Sequence, residues 1–204
     1  MTEAQPEGNY YNKYKSLNPI TKMIVRGFYR DYAALVNGIA FTNAYEAGCG
    51  EGYMTEFLLS LAEGVPPITA SDISETVVAT ASKIWPGIRF EVSSVYNLPH
   101  DDASFDLVVA CEVLEHLERP EEALVELLRL SREYLLVSVP QEPVWCICNF
   151  LRGKYLTRLG NTPGHIQHWS KSAFIEFVAR QCDILAYRTP FPWTMLLCRK
   201  RKIA

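Results

Sequence analysis

Apolar positions along this chain follow two rhythms that take turns. Short segments at 43–48, 67–72, 88–92, 105–110 and 134–139, with apolar residues continuous or alternating with polar ones, predict β-strands. Between them, apolar residues recur at spacings of three and four, which predicts helices over 51–63, 74–84 and 120–132. In the first of these, Tyr53, Phe57, Leu58 and Leu61 share one face. The run Phe105-Asp106-Leu107-Val108-Val109-Ala110 is apolar at almost every position, as a central parallel strand covered on both faces must be. Breakers sit in the connections Val65-Pro66-Pro67, Trp85-Pro86-Gly87 and Asn97-Leu98-Pro99. Repeated strand–helix units of this kind predict a doubly wound α/β sheet, whose ligands bind beyond the carboxyl ends of the strands.

The pattern differs at both ends. Residues 10–37 read as one or two helices, with Pro19 in a first turn after the cap Asn18, and Asn37-Gly38 as the stop. Ile20, Ile24, Phe28, Tyr32 and Leu35 make an apolar stripe there, and Lys22, Arg26 and Arg30 stack on another face. Residues 141–169 read as irregular and aromatic. A helix at 170–181 and strands near 182–188 and 192–199 close the chain. The division expected is a helical extension over 1–40 and a main domain over 41–204.

Composition narrows the classes. The chain has 204 residues, 49% hydrophobic and 21% charged, which suits one globular domain. Its net charge of −3 lacks the basic excess of a dedicated nucleic-acid binder. No apolar run is long enough to span a bilayer, and the polar start lacks a signal-peptide core. The cysteines at 49, 111, 146, 148, 182 and 198 form no C-x-x-C pair. A cytoplasmic protein with reduced thiols is the expectation. Charge is nonetheless uneven, with Lys13, Lys15, Lys22, Arg26 and Arg30 and no acid between Asn9 and Arg30.

Chemistry concentrates where the first strand ends, in Glu46-Ala47-Gly48-Cys49-Gly50-Glu51-Gly52. Glycines at every second position permit positive φ and close approach of a ligand. The next helix aims its unpaired N–H groups at the same turn. A dinucleotide site wants a third glycine where Tyr53 stands, and no Gly-Lys-Ser/Thr follows for a phosphate loop. Asp72 ends the second strand 24 residues after Gly48, the distance at which a carboxylate accepts ribose hydroxyls; a helix cap is its plainer role.

The stretch E-A-G-C-G-E-G resembles the glycine loop of class I S-adenosylmethionine (SAM)-dependent methyltransferases, and Glu112-Val113-Leu114-Glu115-His116-Leu117 resembles their small-molecule group. The resemblance covers roughly residues 40–200. It implies a Rossmann-like seven-stranded sheet, SAM as cofactor and S-adenosylhomocysteine as product. It further implies cofactor contacts from Glu46, Gly48, Cys49, Gly50 and Gly52 at the amino-acid end, and from Asp72 and Ile73 at ribose. Ser94 and Val95 fall at adenine, with Ser94 where the family usually has Asp, and Cys111 and Glu112 flank the methionine end.

The acceptor is expected to be a small molecule attacking through oxygen, so a base must take its proton. His165, His168 and His116 are the candidates. Glu112, Glu115 and His116 share one face of a helical turn, a spacing that suits a divalent metal if His165 joins them. Small-RNA 2′-O-methyltransferases look similar here. The plainer reading is that Glu115 and His116 hold the loop locally, and no metal ligand is assigned. The 141–169 segment and the cluster Tyr10, Tyr11 and Tyr14 are expected to form a lid. Helix 19–36 or segment 142–151 could touch a membrane surface. The rival readings are a nucleic-acid methyltransferase using the basic helix, and a non-catalytic partner protein on the same fold.

Overall fold

The computed structural model describes residues 18–201 except 63 and 65. Tyr10, Tyr11 and Tyr14, expected in a lid, lie outside the described residues. Seven strands form one sheet: β1 (Ala44–Ala47), β2 (Ile68–Asp72), β3 (Arg89–Val92), β4 (Phe105–Cys111), β5 (Ser131–Pro140), β6 (Cys182–Arg188) and β7 (Trp193–Lys200). Their spatial order is β3-β2-β1-β4-β5-β7-β6. The first five run parallel, and β7 is antiparallel to both β5 and β6. The predicted doubly wound, seven-stranded sheet is therefore present. The order reverses between β1 and β4, the switch point where such sheets open a crevice.

Alternation along β4 builds the two layers. Val108 and Ala110 point into a core with Leu124 and Leu127 of α4 (Pro120–Leu130) and Phe174 and Val178 of α6 (Lys171–Ala179). Leu107, Val109 and Cys111 point the other way, onto Phe28, Tyr32 and Leu35 of α1 (Pro19–Val36) and Leu58 of α2 (Tyr53–Leu61). β4 is thus apolar throughout because both faces are dry. α3 (Glu75–Ile84) covers the β2–β3 edge, capped by Ser74, whose hydroxyl accepts the Val77 N–H.

The predicted start of α1 holds: the Asn18 side chain accepts the Ile20 N–H at 2.9 Å and Pro19 opens the helix. Phe28, Tyr32, Leu35 and Val36 are buried, so α1 shares the core of the main domain. The stripe is shorter than its sequence suggests, because Ile20 is 65% exposed and the first turn stands clear of the sheet.

The segment expected to be irregular contains a helix, α5 (Val144–Leu151), and a 3-10 turn at Leu156–Arg158. Its sequence, Val-Trp-Cys-Ile-Cys-Asn-Phe-Leu, has no polar face to give a helical period. Tertiary bonds hold it instead. Asn149, buried, donates to the Gly160 carbonyl at 3.0 Å and the Thr162 hydroxyl at 3.2 Å. Trp145 Nε1 donates to the same hydroxyl at 2.8 Å. The loop after α5 crosses so closely that a Cβ on Gly160 would meet the Cys146 carbonyl oxygen at 2.0 Å.

Candidate active site

Parallel strands end together, and their carboxyl ends open onto one cavity of about 600 Å³. Its floor is the turn after β1. Gly48, Gly50 and Gly52 all take positive φ (70°, 53° and 78°), a conformation that glycine adopts without the cost of a Cβ. A Cβ on Gly48 would sit 2.4 Å from Val113 Cγ2, so the turn also packs against the loop after β4. Gly52 serves differently from expectation. It does not line the cavity; a Cβ there would meet Phe90 and Trp85 at 2.8 and 2.9 Å. Its lack of a side chain answers the turn and this packing, rather than a ligand.

Asp72 stands at the mouth of β2 and lines the cavity. One carboxylate oxygen accepts the Gly50 N–H at 3.0 Å and the other the Ser74 N–H at 3.0 Å. Each oxygen has a further lone pair for a hydroxyl. The carboxylate thereby fixes the glycine loop relative to β2, while Ser74 does the helix capping. Ile73 beside it is 54% exposed and also lines the cavity. Ser94 and Val95 line the next part of the wall, and the Ser94 hydroxyl accepts the Tyr96 N–H at 3.4 Å.

Glu46 and Cys49 lie deepest. Burial pushes the Glu46 carboxyl up to about 7, partly offset by the hydrogen bond it accepts from the Thr55 hydroxyl. Burial likewise pushes the Cys49 thiol well above its ordinary range, with the Glu46 and Asp72 charges adding to the effect. The thiol therefore stays protonated, and Cys49 offers the cavity a neutral surface. A pocket floored by carboxylates and open glycine backbone suits a ligand carrying ammonium and sulfonium charges.

The loop after β4 carries Cys111 and Glu112 on the cavity wall. Glu112 has φ 62°, uncommon for a non-glycine residue and frequent at functional sites. Its carboxylate accepts hydrogen bonds from Ser138 Oγ, at 3.2 Å, and Trp193 Nε1. Glu112 is thus held away from Glu115 and His116, and the ligand face read from the sequence loses that member. The backbone forms a strained turn and then a 3-10 segment, Leu114–His116, instead of a regular helix.

His116 and His165 line the cavity with their rings 4.9 Å apart. Glu115, His116 and His165 each offer one ligand atom, and these atoms lie within 4.8 Å of one another. His168 goes elsewhere. It sits beside Asn161, 3.3 Å from Nε2, and Glu142, 3.8 Å from Nδ1, and does not line the cavity. The structure therefore unites two of the three candidate bases. Sequence reasoning expected the other half of the chamber only as a lid from segment 141–169 and named none of its wall residues as site residues. Ile24 and Phe28 of α1, Trp145 and Leu151 of α5, and Trp193 of β7 wall it. The apolar stripe of α1 and the aromatic character of 141–169 were the visible signals.

Comparison with known proteins adds to this geometry. Residues 45–134, under half of the chain, match the methyltransferase domain family, the stretch from β1 into β5 that carries every predicted cofactor residue. Over that stretch the chain is similar to the class I SAM-dependent methyltransferases. A probable S-adenosylmethionine-dependent methyltransferase of Mycobacterium tuberculosis (strain ATCC 25618 / H37Rv) is 34% identical over 111 residues, 53% of this chain and 39% of the relative. The chain therefore spans under half the length of the curated relatives it matches. Magnesium protoporphyrin IX methyltransferase from Synechocystis, solved with bound S-adenosylhomocysteine, superposes with a TM-score of 0.65 at 17% identity, covering 91% of this chain and 89% of that one. The [4+2]-cyclase SpnF superposes as well, with a TM-score of 0.65 at 15% identity over 97% and 88% of the two chains. Those two likenesses show a shared fold only. The family's cofactor is SAM, and the site accommodates it: the glycine turn leaves open backbone at the floor, and Asp72 presents acceptor oxygens to the cavity.

Proposed function

We propose that this methyltransferase moves the methyl group of SAM to an oxygen of a small, largely apolar acceptor. One observation carries the reading. A single cavity runs from the glycine turn and Asp72, past His116 and His165, to a wall of Ile24, Phe28, Trp145 and Trp193. Donor and acceptor can therefore meet in one chamber. The leaving thioether is neutral, so orientation and removal of the hydroxyl proton are what the protein must supply. The Glu115, His116 and His165 cluster lies where that proton is lost.

A small acceptor fits better than nucleic acid because the basic row Lys22, Arg26 and Arg30 lies on the outer side of α1, away from this cavity. Exposed apolar side chains support peripheral membrane contact. Ile20 and Met23 of α1 and Ile147, Phe150 and Leu159 around α5 are exposed large apolar side chains. No acid occurs from Pro143 to Ile175, while Arg152, Lys154 and Arg158 do. Cations around exposed apolar residues suit an anionic lipid surface as the source of the acceptor.

The test is methyl transfer from labelled SAM to panels of quinols, phenols, sugars and lipids. Label in an ether product supports the reading. Label appearing only in RNA overturns it in favour of the nucleic-acid reading. A calorimetric titration silent toward S-adenosylhomocysteine favours the non-catalytic partner.

A further inference from the structure

The charged side chains that line the cavity are sorted by sign. Glu46 and Asp72 stand at the glycine turn, and Glu112 and Glu115 follow β4. Among the described residues the lining lysines and arginines are Arg152 and Lys154, both just after α5.

Backbone bonds set the places of these two cations. The Asn149 carbonyl accepts the Arg152 N–H at 3.2 Å and the Lys154 N–H at 2.9 Å. The Asn149 side chain is itself anchored on Gly160 and Thr162. Tyr155, next in the chain and also on the cavity wall, has φ 52°, a strained conformation that recurs at ligand clamps. A cation at the end of α5 answers the helix dipole. Yet no acid occurs from Pro143 to Ile175, and no ion pair among the described residues takes up the Arg152 guanidinium. Its fork of donors matches a carboxylate or a phosphate.

α5 also gives the cations a distance. Trp145, near its start, stacks on His165 with rings 6.0 Å apart. Arg152 comes seven residues later, roughly 10 Å along the helix axis. Between them Cys148 and Leu151 line the wall.

We infer that the acceptor is an anionic amphiphile, an apolar body with a hydroxyl at one end and a carboxylate or phosphate at the other. The inference rests on the proposed oxygen acceptor. The hydroxyl lies at His116 and His165, the body along Trp145, Cys148 and Leu151, and the anion at Arg152 and Lys154. The acids of the donor half repel the anionic end, so the sorting of charge decides which end of the acceptor meets the methyl group.

The probes are ω-hydroxydecanoate and its neutral methyl ester. Each is titrated by calorimetry, without vesicles, into the whole protein loaded with S-adenosylhomocysteine. The carboxylate should bind at least ~10-fold tighter than the ester, as a hydrogen bond to a charged group allows. Arg152→Ala should remove most of that preference and Arg152→Lys should keep part of it. The ester should bind all three proteins alike, which separates lost charge recognition from a damaged chamber. Arg158 does not line the cavity, so Arg158→Ala should leave the preference intact. A preference lost equally in Arg158→Ala would assign it to the outer surface and overturn the inference. Equal affinity for the two probes in the wild type, or binding of neither, overturns it as well. So does a preference that survives Arg152→Ala combined with Lys154→Ala. Turnover with labelled SAM separates this inference from the oxygen reading. Ether formation on the ester as fast as on the carboxylate leaves oxygen transfer standing and overturns the anion site. Label passing only to the ω-amino analogue, with the Arg152 dependence intact, supports the anion site and counts against oxygen. Label on the carboxylate itself places the anion at the donor and overturns the inference.

Discussion

The two halves of the cavity are made from different materials. The donor half is mostly backbone. Glycines at positive φ, strand ends in parallel register and one carboxylate tied to two N–H groups set its shape. The acceptor half is mostly side chains from elements remote in sequence: α1, α5, the 162–165 loop and β7. Backbone geometry allows few solutions, so the donor half is fixed by the fold. Side-chain walls can be exchanged without disturbing the sheet, so on the proposed function the acceptor half is where a particular substrate would be selected.

If that contrast is right, damage to the cluster between the halves should cost turnover and spare donor binding. His116→Ala is expected to lower kcat by ~10²–10⁴, with S-adenosylhomocysteine affinity near wild type by calorimetry. His168→Ala, outside the cavity, should leave turnover close to wild type. Equal losses in the two variants would break the assignment. Loss of donor affinity in His116→Ala would blur the two halves into one.

Glu46 tests the donor floor through pH. Its carboxyl is raised to about 7 in the folded protein, chiefly by burial, above the ordinary carboxylate range. In the window between those values the folded state holds a proton that the unfolded chain has released. Stability therefore falls as pH rises through it, by roughly 3 kcal/mol in all. Thermal melts of the ligand-free protein should show this fall between about pH 5 and about pH 7. Glu46→Gln should flatten the slope. A wild-type melting temperature that rises with pH over that range would contradict the burial of this acid.

Asp72→Ala should weaken S-adenosylhomocysteine binding by ~1.5–3 kcal/mol, the range for a charged hydrogen-bond acceptor. Part of that loss comes from freeing the Gly50 N–H, since the carboxylate holds the glycine turn as well as facing the cavity. Asp72→Asn, which keeps one oxygen, should fall in between. Affinity unchanged in the alanine variant would remove Asp72 from the site.

The same contrast explains what could be read from the chain alone. β4 announced itself because both of its faces are dry, and the glycine turn because no other residue accepts three positive φ values so close together. The spacing of Asp72 to Gly48 pointed to the cavity wall, where Asp72 stands. Gly52 misled, since nothing in sequence separates a glycine needed for a ligand from one needed for Phe90 and Trp85. Glu112 misled too: its spacing assumed a regular helix, but φ at 62° turns its carboxylate to Trp193 and Ser138. α5 was illegible because its bonds go to Gly160 and Thr162, beyond its own turn. His168 lies only three residues beyond His165, and tertiary packing alone decides which of them meets His116.

The smallest expected effect concerns the outer rim. Leu159 is 78% exposed, does not line the cavity and follows Arg152, Lys154 and Arg158 in the same segment. A leucine buried in lipid gains ~1.5–3 kcal/mol, and each nearby cation adds about 1 kcal/mol on an anionic surface. Leu159→Ser should therefore lower affinity for phosphatidylserine-containing vesicles by ~10-fold or more in a flotation assay, with donor binding unaltered. Salt should weaken the wild type, because screening shortens the reach of the rim charges. Vesicles of neutral lipid should bind less than anionic ones. If wild type and Leu159→Ser float equally, the exposed leucine does not enter lipid, and the acceptor must reach the Ile24 and Phe28 wall from water instead.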